Sequence, residues 1–154
     1  MLRTAARDIY PSISEVDGVG FTAEVPTYLG PVGILVTDAS GEDDYIIAAG
    51  VLTGLELTHD LATEVANLNR KHRLSGLLLT PDLTGGWRLM YYCRLERSWL
   101  DPEAPASKRM VYDILRTLPR QVFNVFWYLT RYRGLPGRPW SLSGRWWVDL
   151  VTHI

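Results

Sequence analysis

The sequence predicts an α+β fold, an antiparallel β-sheet packed against helices, in the order β-β-β-α-β-β-α with a C-terminal extension. The sheet is expected to consist of a three-stranded meander and a hairpin, with a helix between them. Three observations predict it. Apolar residues alternate with the period of a strand after residue 19, switch to the period of a helix near residue 58, and repeat both regimes further along. The first three strand-like runs are joined by connections too short for a crossover helix, so they pair antiparallel. At 154 residues the chain has the length of one domain with one core. It reads as a single domain over 1–154, with 1–18 a weakly structured N-terminal segment, 19–133 the core and 134–154 a Trp/Arg-rich extension.

Within the N-terminal segment, Leu2 to Ile9 has the pattern of a short helix that Pro11 ends. "FTAEV" then sets Phe21, Ala23 and Val25 against Thr22 and Glu24, as a half-buried strand does. "PTYLGP" turns the chain into "VGILV", and "TDASGEDD" turns it into "YIIAAGVL". The last of these is apolar at nearly every position, which suits a central strand covered on both faces. In "THDLATEVANLNRKHRL", Leu61, Val65, Leu68 and His72 share one helical face. Thr58 is placed to cap that helix, with Asp60 in its first turn and Arg70, Lys71 and Arg73 toward the negative end of its dipole.

"GLLLT" and "WRLMYYCRLE", joined by "PDLTGG", read as a hairpin. In the longer strand Trp87, Leu89, Tyr91, Cys93 and Leu95 share one face, while Arg88, Met90, Tyr92 and Arg94 share an amphipathic face expected to be only partly covered. A last helix starts after Asp101, although Pro105 and Ser107 allow a later start, and carries an apolar stripe from Val111 to Leu129. Pro119 lies inside the stripe and is expected to kink or split the helix; Gly134 and Pro136 end it. "RWWVDLV" reads as a last strand or a helical turn.

A net charge of -1, from 16 basic and 17 acidic side chains, gives no global field to gather nucleic acid or anionic lipid, so such binding needs a local patch. The longest apolar-rich stretch, "VFNVFWYL", falls far short of the ~20 residues that span a bilayer, and the N-terminus lacks a signal-peptide core. The single Cys93 leaves no internal disulfide, which fits a cytoplasmic setting, and its mid-strand place reads as an inert buried thiol. His59 and His72 fall on roughly opposite helix faces, and no histidine pair has zinc-site spacing. Glu42, Asp43 and Asp44 read as a solvated turn without the alternating oxygen ligands of a cation loop. No nucleophile elbow, phosphate loop or dinucleotide fingerprint occurs. The expectation is a protein without catalytic residues, metal or cofactor.

What distinguishes the chain is its aromatic content. Adjacent pairs such as Tyr91/Tyr92, Trp127/Tyr128 and Trp146/Trp147 point different ways on a strand or helix, so one core face does not take them all. "RGLPGRPWSLSGRWWVDLV" holds three of the six tryptophans, interleaved with arginine, and Trp, Tyr and Arg are the usual anchors of protein interfaces. The candidate partner-binding residues are therefore Trp140, Arg145, Trp146, Trp147, Tyr92 and Arg94. Of Trp146 and Trp147, one is expected to pack inward with Val148 or Leu150 and the other to face a partner beside Arg145. A second reading is single-stranded nucleic acid, with bases stacked on Trp140, Trp146 or Trp147 and phosphates held by Arg133, Arg138 and Arg145. The charge balance weighs against it.

"LATEVANLNRKHRLSGLLL", a helix with an Asn near its end and a strand after it, and "GGWRLMYYCRLERSWLDPE", a strand leading into the last helix, carry a resemblance. In order and hydrophobicity this part of the chain, Leu61 to Leu129, resembles the YbjN-like sensory-regulator domains and the CesT-type chaperones of type III secretion. The resemblance implies an antiparallel sheet on helices, usually a homodimer, that binds a protein or peptide client without chemistry. Edge-strand addition is expected as a complement to contact through the exposed aromatic and arginine side chains. It supplies no catalytic residues. The chain departs from the pattern in its first helix, in Pro119 and in the tail after Gly134.

Overall fold

A computed structural model describes residues 1–28, 30–37, 44–71, 75–82 and 85–153. The elements follow one another as α1 (Leu2–Ile9), β1 (Ile13–Val16), β2 (Gly20–Thr27), β3 (Gly30–Thr37), β4 (Asp44–Leu55), α2 (His59–Arg70), β5 (Ser75–Pro81) and β6 (Trp87–Glu96). A 3-10 turn (Arg97–Trp99), α3 (Pro105–Trp127), a π-helical turn (Tyr128–Tyr132), β7 (Arg138–Pro139) and α4 (Trp147–His153) complete the chain. Among the described residues seven strands form one antiparallel sheet, in the order β1-β2-β3-β4-β6-β5, with β7 added beside β4. The α+β class and the meander–helix–hairpin order are those the sequence predicts.

Its all-apolar run makes β4 the central strand: β3 pairs it through Ile34–Thr37 on one side and β6 along its length on the other. One sheet face carries the main core. There Phe21, Ile34, Ile47, Leu89 and Leu95 are fully buried against Val111, Leu115, Leu118 and Val122 of α3, and each such side chain contributes about 1.5–3 kcal/mol. The Trp87-to-Leu95 face of β6 packs here, with Trp87 only half-buried.

The N-terminal segment is more ordered than the sequence suggests. Leu2, Ala5, Ala6 and Tyr10 are buried under α3, β1 pairs with β2, and Arg3 binds both carboxylate oxygens of Glu15 at 2.8 and 2.9 Å. α1 has no side-chain N-cap, so its stability comes from packing and not from local propensity. α2 forms as expected: the Thr58 hydroxyl accepts from the Leu61 amide at 3.1 Å, and Leu61 and Val65 turn inward. His72 and Arg73 lie outside the described residues, as do Glu42 and Asp43. Asp44 pairs with Arg94 at 3.6 Å.

α3 begins at Pro105, among the later starts the sequence allows, because Asp101 is used in the turn before it, where its carboxylate accepts from the Glu103 amide. Pro119 does not split the helix; all 23 residues of α3 are continuous. The carbonyl that its missing amide leaves, on Leu115, accepts the Tyr10 hydroxyl at 2.6 Å. At its far end, Tyr128 donates to Glu64 at 2.8 Å and Arg133 pairs with the same carboxylate at 3.0 Å, which fastens the end of this helix to α2.

Candidate functional site

The tail covers the second face of the sheet. After the π-helical turn, Gly134 takes a left-handed conformation (φ 66°), and β7 pairs with Leu52 and Thr53 of β4 where β3 no longer does. The chain thereby passes from the α3 side to the opposite face. A second core forms there from Leu35, Met90, Trp140, Trp146 and Leu150.

Two glycines of the meander receive the tryptophans. A Cβ on Gly50 would fall inside the Trp140 indole; one on Gly33 would lie 2.5 Å from Leu142 and 2.7 Å from Trp146. Neither glycine has a positive φ, so close approach of the ring is what requires them. Arg88, from the amphipathic face of β6, is 6% exposed; its guanidinium lies over Trp140 at 5.1 Å and pairs with Asp149 of α4 at 2.7 Å. This ion pair clamps α4 to the sheet. "RWWVDLV" is thus mostly helix, while the strand sits earlier, at Arg138–Pro139.

This arrangement divides the six residues expected to meet a partner. Trp140 and Trp146 are each 7% exposed and belong to the second core, so neither ring has a face free for a partner or for a stacked base. That corrects their assignment as contact residues, for a physical reason the sequence hides: the sheet face opposite α3 has to be covered, and the tail is what covers it. Trp147 is half-buried, edge-to-face with Trp146 at 6.0 Å, and the exposed Arg145 lies over it at 5.9 Å. Inward packing falls to Trp146 with Leu150, while Val148 is 40% exposed. Tyr92 is half-buried over Gly76, and Arg94 is exposed beside Asp44.

Edge-strand addition meets a barrier at β5. The Asn69 side chain accepts from the Leu77 amide at 2.6 Å and donates to the Leu77 carbonyl at 3.0 Å, standing in for a neighbouring strand. Pro81 lacks an amide altogether. The Asn at the end of α2, quoted above for its pattern alone, thus has a defined task.

A groove that the sequence did not reveal opens on the other side of the molecule, between α1, α3 and the turn between β2 and β3. It encloses about 540 Å³ and is lined by Ile9, Tyr10, Val25, Pro26, Thr27, Tyr28, Arg116, Pro119, Arg120, Phe123 and Asn124. The lining is apolar at its base and contains no carboxylate. Arg116 and Arg120, one turn apart on α3, are both exposed and form no ion pair among the described residues. Tyr28 is 99% exposed, with its ring 6.1 Å from Phe123 in an edge-to-face geometry. Tyr28 lies within "PTYLGP", a stretch the sequence marks only as a turn, and its exposure is legible only once the turn is seen to abut α3.

Burial pushes the Cys93 thiol up to about 11, so thiolate chemistry is suppressed at neutral pH. No group of three or more His, Cys, Asp or Glu side chains converges among the described residues, and no helix there is long and apolar enough to cross a membrane.

The sheet order and the helix-backed core define the class: an α+β domain of YbjN-like fold. The comparison that carries this is the crystal structure of YbjN, a proposed transcription regulator from E. coli, which superposes with a TM-score of 0.57 over 90% of this chain and 93% of that one. At 12% identity it is the fold that is shared. No family model and no curated protein matches the chain.

Proposed function

We propose that the protein is a non-enzymatic cytoplasmic binding module, an adaptor or chaperone that holds a segment of a partner protein in the groove between α1, α3 and the β2–β3 turn. One observation carries this reading: an open apolar groove of about 540 Å³, with an aromatic side chain 99% exposed at its mouth. A concavity of this size, apolar with a few convergent polar groups, is the usual form of a binding site. A free tyrosine facing solvent there loses little entropy on capture and gains contact area. The similarity to YbjN, itself a proposed regulator, suggests a regulatory setting, exerted through protein contact since two of the three tail tryptophans, Trp140 and Trp146, are buried away from bases. A homodimer is the assembly the chaperone resemblance implies, and light scattering on the full chain decides it.

Panning a phage-displayed random peptide library against the immobilised full chain tests the reading. Enrichment that Tyr28→Ala abolishes and Trp147→Ala leaves intact supports the groove. Peptides that bind the Tyr28→Ala chain equally well place the site elsewhere, and salt-sensitive retention of single-stranded oligonucleotide in place of peptide overturns the reading.

A further inference from the structure

The groove combines an apolar base with two arginines that no carboxylate pairs among the described residues; Arg116 lies over the Tyr112 ring at 5.4 Å. Tyr10, Val25 and Phe123 form the base, and Arg116 and Arg120 stand along one side. On a chain of net charge -1, this local excess of positive charge has no acidic side chain in the lining to offset it. Arginines elsewhere are often engaged with a carboxylate, Arg3 with Glu15, Arg88 with Asp149, Arg133 with Glu64. Their spacing adds a second constraint. Residues four apart on a helix are separated by about 6 Å along its axis. Alternate side chains of an extended chain are separated by about 6.7 Å on one side. The two repeats match.

From this we infer that the groove takes an extended acidic segment of a partner protein, with two carboxylates separated by one residue meeting Arg116 and Arg120 and an apolar side chain beyond them packing against Tyr28 and Phe123. This inference rests on the peptide-binding reading above and sharpens it to a partner chemistry. Arg geometry suits the task, since a guanidinium engages a carboxylate through two parallel N–H donors. The apolar anchor supplies burial, while the acidic pair fixes register along α3 and excludes basic segments by repulsion.

Three short fluorescein-labelled peptides on one backbone test it by anisotropy against the full chain at low ionic strength. One carries two Asp separated by Ser and followed by Leu-Phe, the second has Asn at both acidic positions, and the third has Lys there. The expected result is that the Asp peptide binds about fivefold or more tightly than the Asn peptide, that the Lys peptide is weakest, and that added salt narrows the gap. Arg116→Ala combined with Arg120→Ala removes only exposed side chains and keeps good helix formers in α3, so the fold is retained. In that variant the Asp and Asn peptides should bind alike. Equal binding of the two by the unaltered chain, or a preference that survives the double variant, overturns the acidic specificity and leaves the groove a peptide site. Failure of all three peptides to bind overturns both.

Discussion

The Tyr10 hydroxyl donates to the main-chain carbonyl of Leu115 across 105 positions of sequence, and Leu115 is the residue whose carbonyl Pro119 deprives of an amide partner. A proline inside a helix costs about 3 kcal/mol through a lost hydrogen bond and a steric clash, and a buried carbonyl left open adds to that. Here a side chain from α1 replaces the lost donor. This explains how α3 runs unbroken past Pro119 and why the first helix, short and uncapped, is held in place. It also ties the base of the groove, where Tyr10 and Pro119 both lie, to the integrity of α3.

A double-mutant cycle reads this relationship directly. Tyr10→Phe leaves a buried carbonyl unpaired and should cost about 1–3 kcal/mol in urea unfolding. In a Pro119→Ala background the restored amide takes over Leu115, so the same substitution should cost substantially less. Additive effects would show that the hydroxyl and the proline are unrelated.

Burial also holds the Tyr10 phenol well above its ordinary value of 10.0. A raised phenol binds its proton in the folded state after the unfolded chain has released it. Its contribution is therefore complete below pH 10 and is lost as the pH climbs through the folded value. Tyr112 and Tyr128, raised by hydrogen bonds to Asp8 and Glu64, act in the same direction. Thermal melts from neutral pH upward should show stability falling above pH 10, with a shallower fall in Tyr10→Phe. An unchanged slope would rule out Tyr10 as a source.

Gly50→Ala should be damaging although its backbone conformation is ordinary, because the added methyl collides with the Trp140 indole. Overpacking of this kind costs about 1–3 kcal/mol. Gly33→Ala meets Leu142 and Trp146 and should behave alike, whereas Gly76→Ala meets Tyr92 at 3.2–3.3 Å, a half-buried side chain with room to yield. The readout is tryptophan emission together with trypsin cleavage of the tail: a red shift and faster cleavage in the first two variants, little change in the third. Native emission in Gly50→Ala would mean that Trp140 does not lie on the sheet.

The elements that the sequence announced are those whose signal is local. β4 shows burial on both faces as an unbroken apolar run, and Thr58 caps α2 three residues before the amide it accepts. The elements that stayed hidden are defined by partners far along the chain. The helix over Leu2–Ile9 was legible in the sequence, but its docking was not: Ala5 and Ala6 are small residues, which is what lets it approach α3. Tryptophan in the tail was conspicuous, but its receptors are glycines in β3 and β4, and an absent side chain carries no pattern. The groove was hidden for the same reason: its lining comes from three separate stretches, with only Tyr28 conspicuous from its exposure.

The clamp on α4 makes an asymmetric prediction. Arg88 is 7% exposed in its side chain and Asp149 47%, so the two ends of one ion pair differ in what their loss leaves behind. Asp149→Ala strands a buried guanidinium and should cost about 1–3 kcal/mol, less than a fully buried pair would because water reaches the vacated side. Arg88→Met removes the buried charge, keeps packing on Trp140, and should cost at most about 1.5 kcal/mol. Denaturant midpoints in which Arg88→Met proves the worse of the two would refute the clamp as drawn.

The last prediction concerns the β5 edge. Asn69→Leu keeps the helix and a comparable volume but removes both hydrogen bonds to Leu77, at a cost of about 1–2 kcal/mol. The larger consequence is kinetic exposure: an amide and a carbonyl in the middle of a seven-residue edge strand become available to another chain. Asn69→Asp is the sharper variant, since it keeps an acceptor for the Leu77 amide and turns a donor into a charge facing the Leu77 carbonyl. Both should show concentration-dependent association by light scattering below the melting temperature, where the unaltered chain keeps a constant mass per particle. If both variants lose stability yet associate no more than the parent, the side chain holds the helix to the sheet without guarding its edge.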